Sequence, residues 1–145
     1  MPEPTILLVE DNEDDVFAFK WSARRAEVTC PLQVVTDGRQ ALAYLSGEGE
    51  YADRLKYPVP SLMFLDLKLP YLNGTEILAW KAGQVHLSDI PVIVLSGSDE
   101  RKDRETTLPL GARDYIVKPV EPAKLRSVVD ETLSRRPPSS TAYVS

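Results

Sequence analysis

Four short apolar segments each run directly into polar residues, and this pattern constrains the fold more than any other feature of the chain. The segments are residues 5–9, 61–65, 91–95 and 115–117. Continuous apolar runs of this length are typical of parallel strands that are buried on both faces. The polar residues that follow them are Glu10 and Asp11, Asp66, Ser96, and Lys118. An open parallel sheet binds its ligand at the carboxyl ends of its strands, so these side chains should converge at one edge.

Helical segments alternate with the apolar segments along the chain. A further short strand is predicted over residues 32–35, and a final helix starts at Pro122, since proline suits the first turn of a helix. Five strands that alternate with helices indicate a parallel sheet with helices on both faces. Right-handed crossovers favour a doubly wound, flavodoxin-like α/β fold with strand order 2-1-3-4-5. In that order the first and third strands are neighbours, which places Glu10 and Asp11 beside Asp66.

The length of 145 residues fits one domain that can bury a core without disulfides or metals. The domain is expected to cover residues 4–136, with a polar C-terminal tail over residues 137–145.

Residues 46–60 contain two glycines and two prolines and show no clear period. They predict a long irregular connection that is either functional or mobile. Pro109 should end the fourth helix, which is predicted over residues 99–107.

Composition argues against several classes of partner. The formal net charge of −5 disfavours nucleic acid and anionic membranes, which both attract a basic face. No apolar run approaches the roughly 20 residues of a membrane helix, and the N-terminus lacks the order of a signal peptide. Cys30 is the one cysteine, as expected in a reducing compartment. A cytoplasmic location is therefore predicted.

The predicted acidic cluster suits a divalent cation. Carboxylates that lie together repel one another unless a cation joins them. Mg²⁺ prefers oxygen ligands and keeps several waters, so two carboxylates and one backbone carbonyl suffice. Asp11 and Asp66 are expected to be direct ligands, and the carbonyl of Lys68 is the expected third. Glu10 is expected to reach the metal through water.

The same cluster suits the transfer of a phosphoryl group. A bound metal lets a carboxylate attack phosphorus despite its charge, and Asp66 is best placed because it ends the central strand. Lys118 can pair with the phosphoryl oxygens, and Ser96 can donate a hydrogen bond to them. Taken singly, such acids and serines usually cap helices, and such a lysine is usually solvated. The hypothesis rests on the observation that all of these residues follow the ends of strands that the predicted fold brings together at one edge of the sheet.

An ordered set of segments resembles the receiver domain of two-component response regulators. The segments are residues 6–12, 64–70, 73–74, 94–96, 110–112 and 115–119, and the likeness covers about residues 4–134. The long segment over residues 46–60 and the missing output domain resemble the stand-alone receivers that partner bacterial phytochrome-type histidine kinases.

The resemblance implies a role for each residue of the cluster. Asp66 would be the phosphoacceptor, with Lys118 as the phosphate-binding lysine. Glu10 and Asp11 would be the acidic pair, with Asp11 as the direct Mg²⁺ ligand. Ser96 would supply the switch hydroxyl and Tyr115 the switch aromatic ring. The resemblance also implies a cis peptide bond before Pro119.

The implied protein is a single-domain response regulator and not an enzyme. It would accept a phosphoryl group from a histidine kinase and change the protein-binding surface formed by helix four, strand five and helix five. The downstream protein is not indicated by the sequence, and a homodimer through the face from helix four to helix five is a further expectation. Lys68, two residues after the acceptor, leaves the lifetime of the phosphoryl group undecided.

Two other functions remain open. A metal-dependent phosphatase of the haloacid dehalogenase type needs a second acid two residues after the nucleophile, where this chain has Lys68. An adaptor with this fold that acts without phosphorylation, with helix four reshaped at Pro109, is the other alternative. An FMN-binding protein is disfavoured because no phosphate loop rich in Ser, Thr or Gly follows the first strand.

Overall fold

Strands and helices alternate in the order that the apolar pattern predicts. The computed structural model describes residues 4–97 and 101–134. Its elements are β1 (Ile6–Val9), α1 (Glu13–Arg25), β2 (Leu32–Val35), α2 (Gly38–Ser46), a 3-10 helix (Gly49–Ala52), β3 (Leu62–Asp66), α3 (Gly74–Ala82), β4 (Val92–Ser96), α4 (Arg101–Thr107), β5 (Asp114–Val117) and α5 (Pro122–Ser134). The predicted first residues of the fourth helix and the tail over residues 137–145 lie outside the described residues. Within the described part, no helix is both long and apolar enough to span a bilayer.

The five strands form one parallel sheet in the order β2-β1-β3-β4-β5. This is the doubly wound order that the sequence predicted. In the register between β1 and β3, Val9 pairs with Leu65. The next residue of each segment, Glu10 and Asp66, therefore lies at the same level of the sheet. Asp66 and Ser96 are the last residues of their strands, so each strand ends one residue later than predicted.

Two apolar cores sandwich the sheet, because alternate side chains of each strand point to opposite faces. On one face the strands pack against α2 and α3, and Tyr44, Leu45 and Ile77 are fully buried there. On the other face they pack against α1 and α5, through residues that include Phe19 and Leu125. Every residue of β1, β3 and β4 is buried. Burial on both faces explains why these strands read as unbroken apolar runs.

The connection over residues 46–60 is more ordered than its composition indicated. It contains the 3-10 helix, and the rings of Tyr44, Tyr51 and Tyr57 pack together with centroids 5.0–6.0 Å apart. The guanidinium group of Arg54 donates hydrogen bonds to the carbonyls of Tyr44, Leu45 and Tyr57. It thereby gives a donor to the carbonyl of Leu45 and a second donor to that of Tyr44, which also accepts from the C-cap amide of Gly47. The connection is long, as the sequence predicted, and the order within it comes from tyrosine contacts that leave no periodic pattern in the sequence.

The fourth helix ends where the sequence predicted. The helix α4 ends at Thr107, two residues before Pro109. The buried hydroxyl of Thr107 donates to the carbonyl of Asp103, and its own carbonyl accepts from the amide of Leu110. The helix thus closes in a turn that leads directly to β5.

Gly74, the first residue of α3, allows the helix to approach the end of β3. A β-carbon at this position would lie 2.7 Å from the carbonyl oxygen of Asp66 and 2.8 Å from the α-carbon of Leu67. Both contacts are with backbone, so a side chain could be accommodated only by moving the strand end. Gly83, at the other end of α3, has its nearest such contact at 3.6 Å.

We predict that Gly74→Ala lowers the free energy of unfolding by about 1–3 kcal/mol, the usual effect of overpacking. Gly83→Ala is the matched control and should be neutral or slightly stabilising, since alanine can adopt its backbone conformation. Urea denaturation of the two variants checks this. Equal stability of the two variants would show that the close approach at Gly74 is not a real constraint.

Candidate functional site

Three carboxylates converge where β1 and β3 end. Oxygen atoms of Glu10, Asp11 and Asp66 all lie within 4.8 Å of one another. Glu10 and Asp66 are buried and Asp11 is exposed, so the group opens toward solvent on one side. The amide of Glu10 donates to the carbonyl of Val35, which continues the sheet by one residue and fixes the start of the following loop. The convergence predicted from the strand ends is confirmed.

Lys118 reaches the same group from β5. Its amide donates to the carbonyl of Ser96 at 2.7 Å, and a cis peptide bond joins it to Pro119, as the resemblance to receiver domains implied. Its ammonium nitrogen lies 3.0 Å from Glu10 Oε1 and 3.2 Å from Asp66 Oδ2. Lys118 is therefore the cationic member of the cluster.

Both carboxylate oxygens of Asp66 accept hydrogen bonds. Oδ1 accepts from the backbone amide of Lys68 at 3.1 Å, and Oδ2 accepts from the ammonium group of Lys118. These two donors orient the carboxylate. The side chain of Lys68 is exposed. Its backbone carbonyl, the predicted third metal ligand, stays a prediction.

Ser96 and Tyr115 lie on the β4–β5 side of the site. Ser96 is buried at the end of β4, and it pairs with Val117 in the register of β4 and β5. The ring of Tyr115 is buried in the core on the α2–α3 face, and the guanidinium carbon of Arg104 lies 4.6 Å from the ring centroid. The roles of Ser96 and Tyr115 as switch residues stay predictions.

Asp15 is a member of the cluster that the sequence reasoning missed. Its Oδ2 atom lies 2.7 Å from the ammonium nitrogen of Lys118, which is shorter than the contacts of Lys118 with Glu10 and Asp66. No role was assigned to Asp15 from the sequence. The contact joins residues far apart in sequence, and its one local signal is that Asp15 lies on the first turn after the acidic pair.

Charge and burial shift the pKa values of Glu10 and Lys118. Burial, and secondarily the nearby Asp66 carboxylate, raise the pKa of Glu10 to about 7, against the opposing hydrogen bonds from Lys118 and the Asn12 amide. Burial alone would favour neutral Lys118. Hydrogen bonds to Asp15 and Glu10 and the charge of Asp66 outweigh it and raise the pKa of Lys118 above its usual range.

These donors fit a hard divalent cation. The cluster offers only carboxylate oxygens, which Mg²⁺, Mn²⁺ and Ca²⁺ prefer over nitrogen or sulfur. Burial is the main cause of the raised pKa of Glu10, and the nearby Asp66 carboxylate adds to it, so the site also holds negative charge that Lys118 only partly compensates. A bound cation would supply the missing positive charge and polarise a phosphoryl oxygen.

The raised pKa of Glu10 predicts an unusual pH dependence of stability. Its folded-state pKa of about 7 lies above the ordinary value of 4.5, so the folded protein binds an extra proton between these values. Without metal, stability should therefore fall as pH rises from about 4.5 to 7, by up to about 3 kcal/mol. Urea denaturation of metal-free protein, compared with Glu10→Gln at each pH, isolates this contribution. Identical pH profiles for the two proteins would contradict it.

Comparisons with known proteins agree with this geometry. The family model described as response regulator receiver domain matches residues 6–130. Response regulator Rcp1 from Synechocystis is 34% identical over 117 residues, which are 81% of this chain and 78% of that protein.

Solved structures give the same result. The phosphorylated cyanobacterial phytochrome response regulator RcpA is similar with a TM-score of 0.79 and 34% identity, over 92% of this chain and 96% of that one. The Mn²⁺-bound form of Rcp1 is similar with a TM-score of 0.74 and 31% identity, over 99% of this chain and 100% of that one. The matches to Rcp1 and RcpA place this chain among relatives of the phytochrome response regulators. This chain belongs to the response regulator receiver domain family.

Proposed function

We propose that this protein is a single-domain response regulator that accepts a phosphoryl group on Asp66 in a Mg²⁺-dependent reaction. The observation that carries the proposal is the setting of Asp66. Its carboxylate is oriented by two donors, Lys118 and the Lys68 amide, and it faces two further carboxylates. These neighbouring groups have the chemistry that a nucleophile, a cation for the phosphoryl charge and a pair of metal ligands require.

The chemistry needs little beyond this positioning. A carboxylate oxygen of Asp66 attacks the phosphorus of a phosphohistidine or a small acyl phosphate. The new oxygen–phosphorus bond forms as the bond to the leaving group breaks, and the leaving group keeps that electron pair. Lys118 then pairs with the phosphoryl oxygens, and Ser96 donates a hydrogen bond to them. Positioning and charge neutralisation are the main requirements of such a transfer.

The metal would be held by Asp11 and Asp66 directly, by the carbonyl of Lys68, and by Glu10 through water. It supplies the positive charge that lets a carboxylate approach a phosphoryl group. Rcp1 has been solved in a Mn²⁺-bound form, which supports the binding of a divalent metal by this chain, and the carboxylates of Glu10, Asp11 and Asp66 are close enough together to hold one. Mg²⁺ is proposed because it is satisfied by few carboxylates and several waters.

The phosphodonor is proposed to be a sensor histidine kinase of the phytochrome type. The support is the likeness to phytochrome response regulators.

The proposed output is a shift between two conformations of the α4–β5–α5 face, in which Ser96 and Tyr115 respond to the phosphoryl group. An unidentified downstream protein, or a second copy at this face, reads the change in the cytoplasm. Residues 4–136 are proposed to form the receiver, with residues 137–145 as its tail.

We predict a single phosphoryl adduct when the protein is incubated with Mg²⁺ and acetyl phosphate and examined by intact mass spectrometry. The adduct should be lost in Asp66→Asn, because a neutral amide replaces the nucleophilic carboxylate. It should persist in Asp14→Asn, which makes the same charge change on an exposed residue. Chelation of Mg²⁺ should prevent its formation.

Other outcomes would point to the alternatives. Absence of an adduct with acetyl phosphate and with a phosphorylated histidine kinase would contradict the phosphoacceptor and favour an adaptor. Continuous hydrolysis of an external phosphate ester that depends on Asp66 would instead favour a phosphatase, although Lys68 stands where such enzymes need an acid.

A further inference from the structure

Asp15 forms an ion pair with Lys118 but does not belong to the group of three clustered carboxylates. The ammonium nitrogen of Lys118 contacts three carboxylates, and Asp15 gives the shortest distance, 2.7 Å. Asp15 is not one of the three acids that lie within ligand distance of one another. Its side chain is 37% exposed, whereas those of Glu10 and Asp66 are 1% and 7% exposed. Asp15 thus draws the ammonium group toward the solvent side of the site.

A purely structural role for Asp15 would be to cap α1. An acid at the third position of a helix often accepts a hydrogen bond from the N-cap amide. Here the amide of Asn12, the N-cap residue, donates to Oε2 of Glu10 instead. The backbone amide of Asp15 is held by the Asn12 side chain, so the position of Asp15 is fixed while its carboxylate points to Lys118. The side chain of Asp15 therefore serves the site and not the cap.

An ammonium group has three donors, and in this structure three carboxylates face it. Lys118 can bond a phosphoryl oxygen on Asp66 only by giving up one of these partners. Asp15 is the partner that lies outside the reacting group and nearest to solvent, so it is the one that water can replace.

We infer that Asp15 is a positioning residue that holds Lys118 in the resting state and competes with the phosphoryl group for it. This inference rests on the proposed function. Asp15 thereby controls how strongly the site retains a phosphoryl group. A neutral residue at position 15 should leave Lys118 more available and the phosphorylated form more favoured.

The test measures the affinity for beryllofluoride, an analogue of the phosphoryl group, at saturating Mg²⁺. The fraction bound is read from ¹⁹F NMR for the wild type, Asp15→Asn and Asp14→Asn. We expect Asp15→Asn to bind about two- to fivefold more tightly, the equilibrium equivalent of losing a partly exposed ion pair in the free state. Asp15→Ser, a second neutral variant, should give the same shift. Asp14→Asn, which removes the same charge from the same helix turn, should bind like the wild type.

A double-mutant cycle with Lys118→Met separates positioning from general effects of charge or structure. In the Lys118→Met background, Asp15→Asn should improve binding no more than Asp14→Asn does. A gain that persists in that background, or no gain in the wild-type background, would overturn the inference and leave the proposed function intact. A wild-type protein that neither binds beryllofluoride nor becomes phosphorylated would overturn both.

Discussion

The ammonium group of Lys118 among the carboxylates of Glu10, Asp15 and Asp66 is the interaction on which the site depends. Two of these acids are almost wholly buried, and burial of like charges opposes folding unless a cation accompanies them. Lys118 supplies one positive charge, which leaves the cluster with an excess of negative charge. A buried acid with a raised pKa, as Glu10 is, does not favour folding at neutral pH and often marks a functional site. This deficit of positive charge is the physical reason for proposing a metal ion at the site.

The fold brings this cluster together through backbone contacts rather than through the acids themselves. Parallel pairing places Glu10 beside Asp66, and the bond from the Lys118 amide to the Ser96 carbonyl places the lysine at the same edge. Gly74 lets α3 begin directly against the carbonyl of Asp66. The cores on both faces of the sheet are therefore the support of the site, since a shift of any strand end would separate the charges.

Much of this arrangement could be predicted from the sequence, because buried parallel strands leave an unambiguous apolar pattern. The sheet order and the meeting of Glu10, Asp11 and Asp66 follow from that pattern and from the rules of crossover connections. The packing of Arg54 under the tyrosine cluster could not be predicted, since it joins residues whose proximity depends on the path of a long connection. Asp15 was missed for a related reason: an acid in the first turn of a helix has a sufficient local explanation, and only its distance to Lys118 reveals a second role.

The most direct test of the account is a crystal structure of the protein with Mg²⁺ and beryllofluoride. The account predicts a cation in contact with Asp11 and Asp66, beryllofluoride on an oxygen of Asp66, and the ammonium group of Lys118 within hydrogen-bond distance of a fluorine. A cation bound elsewhere, or beryllofluoride absent from Asp66 at saturating concentration, would contradict the claim that the strand-end cluster is a phosphoryl-accepting site.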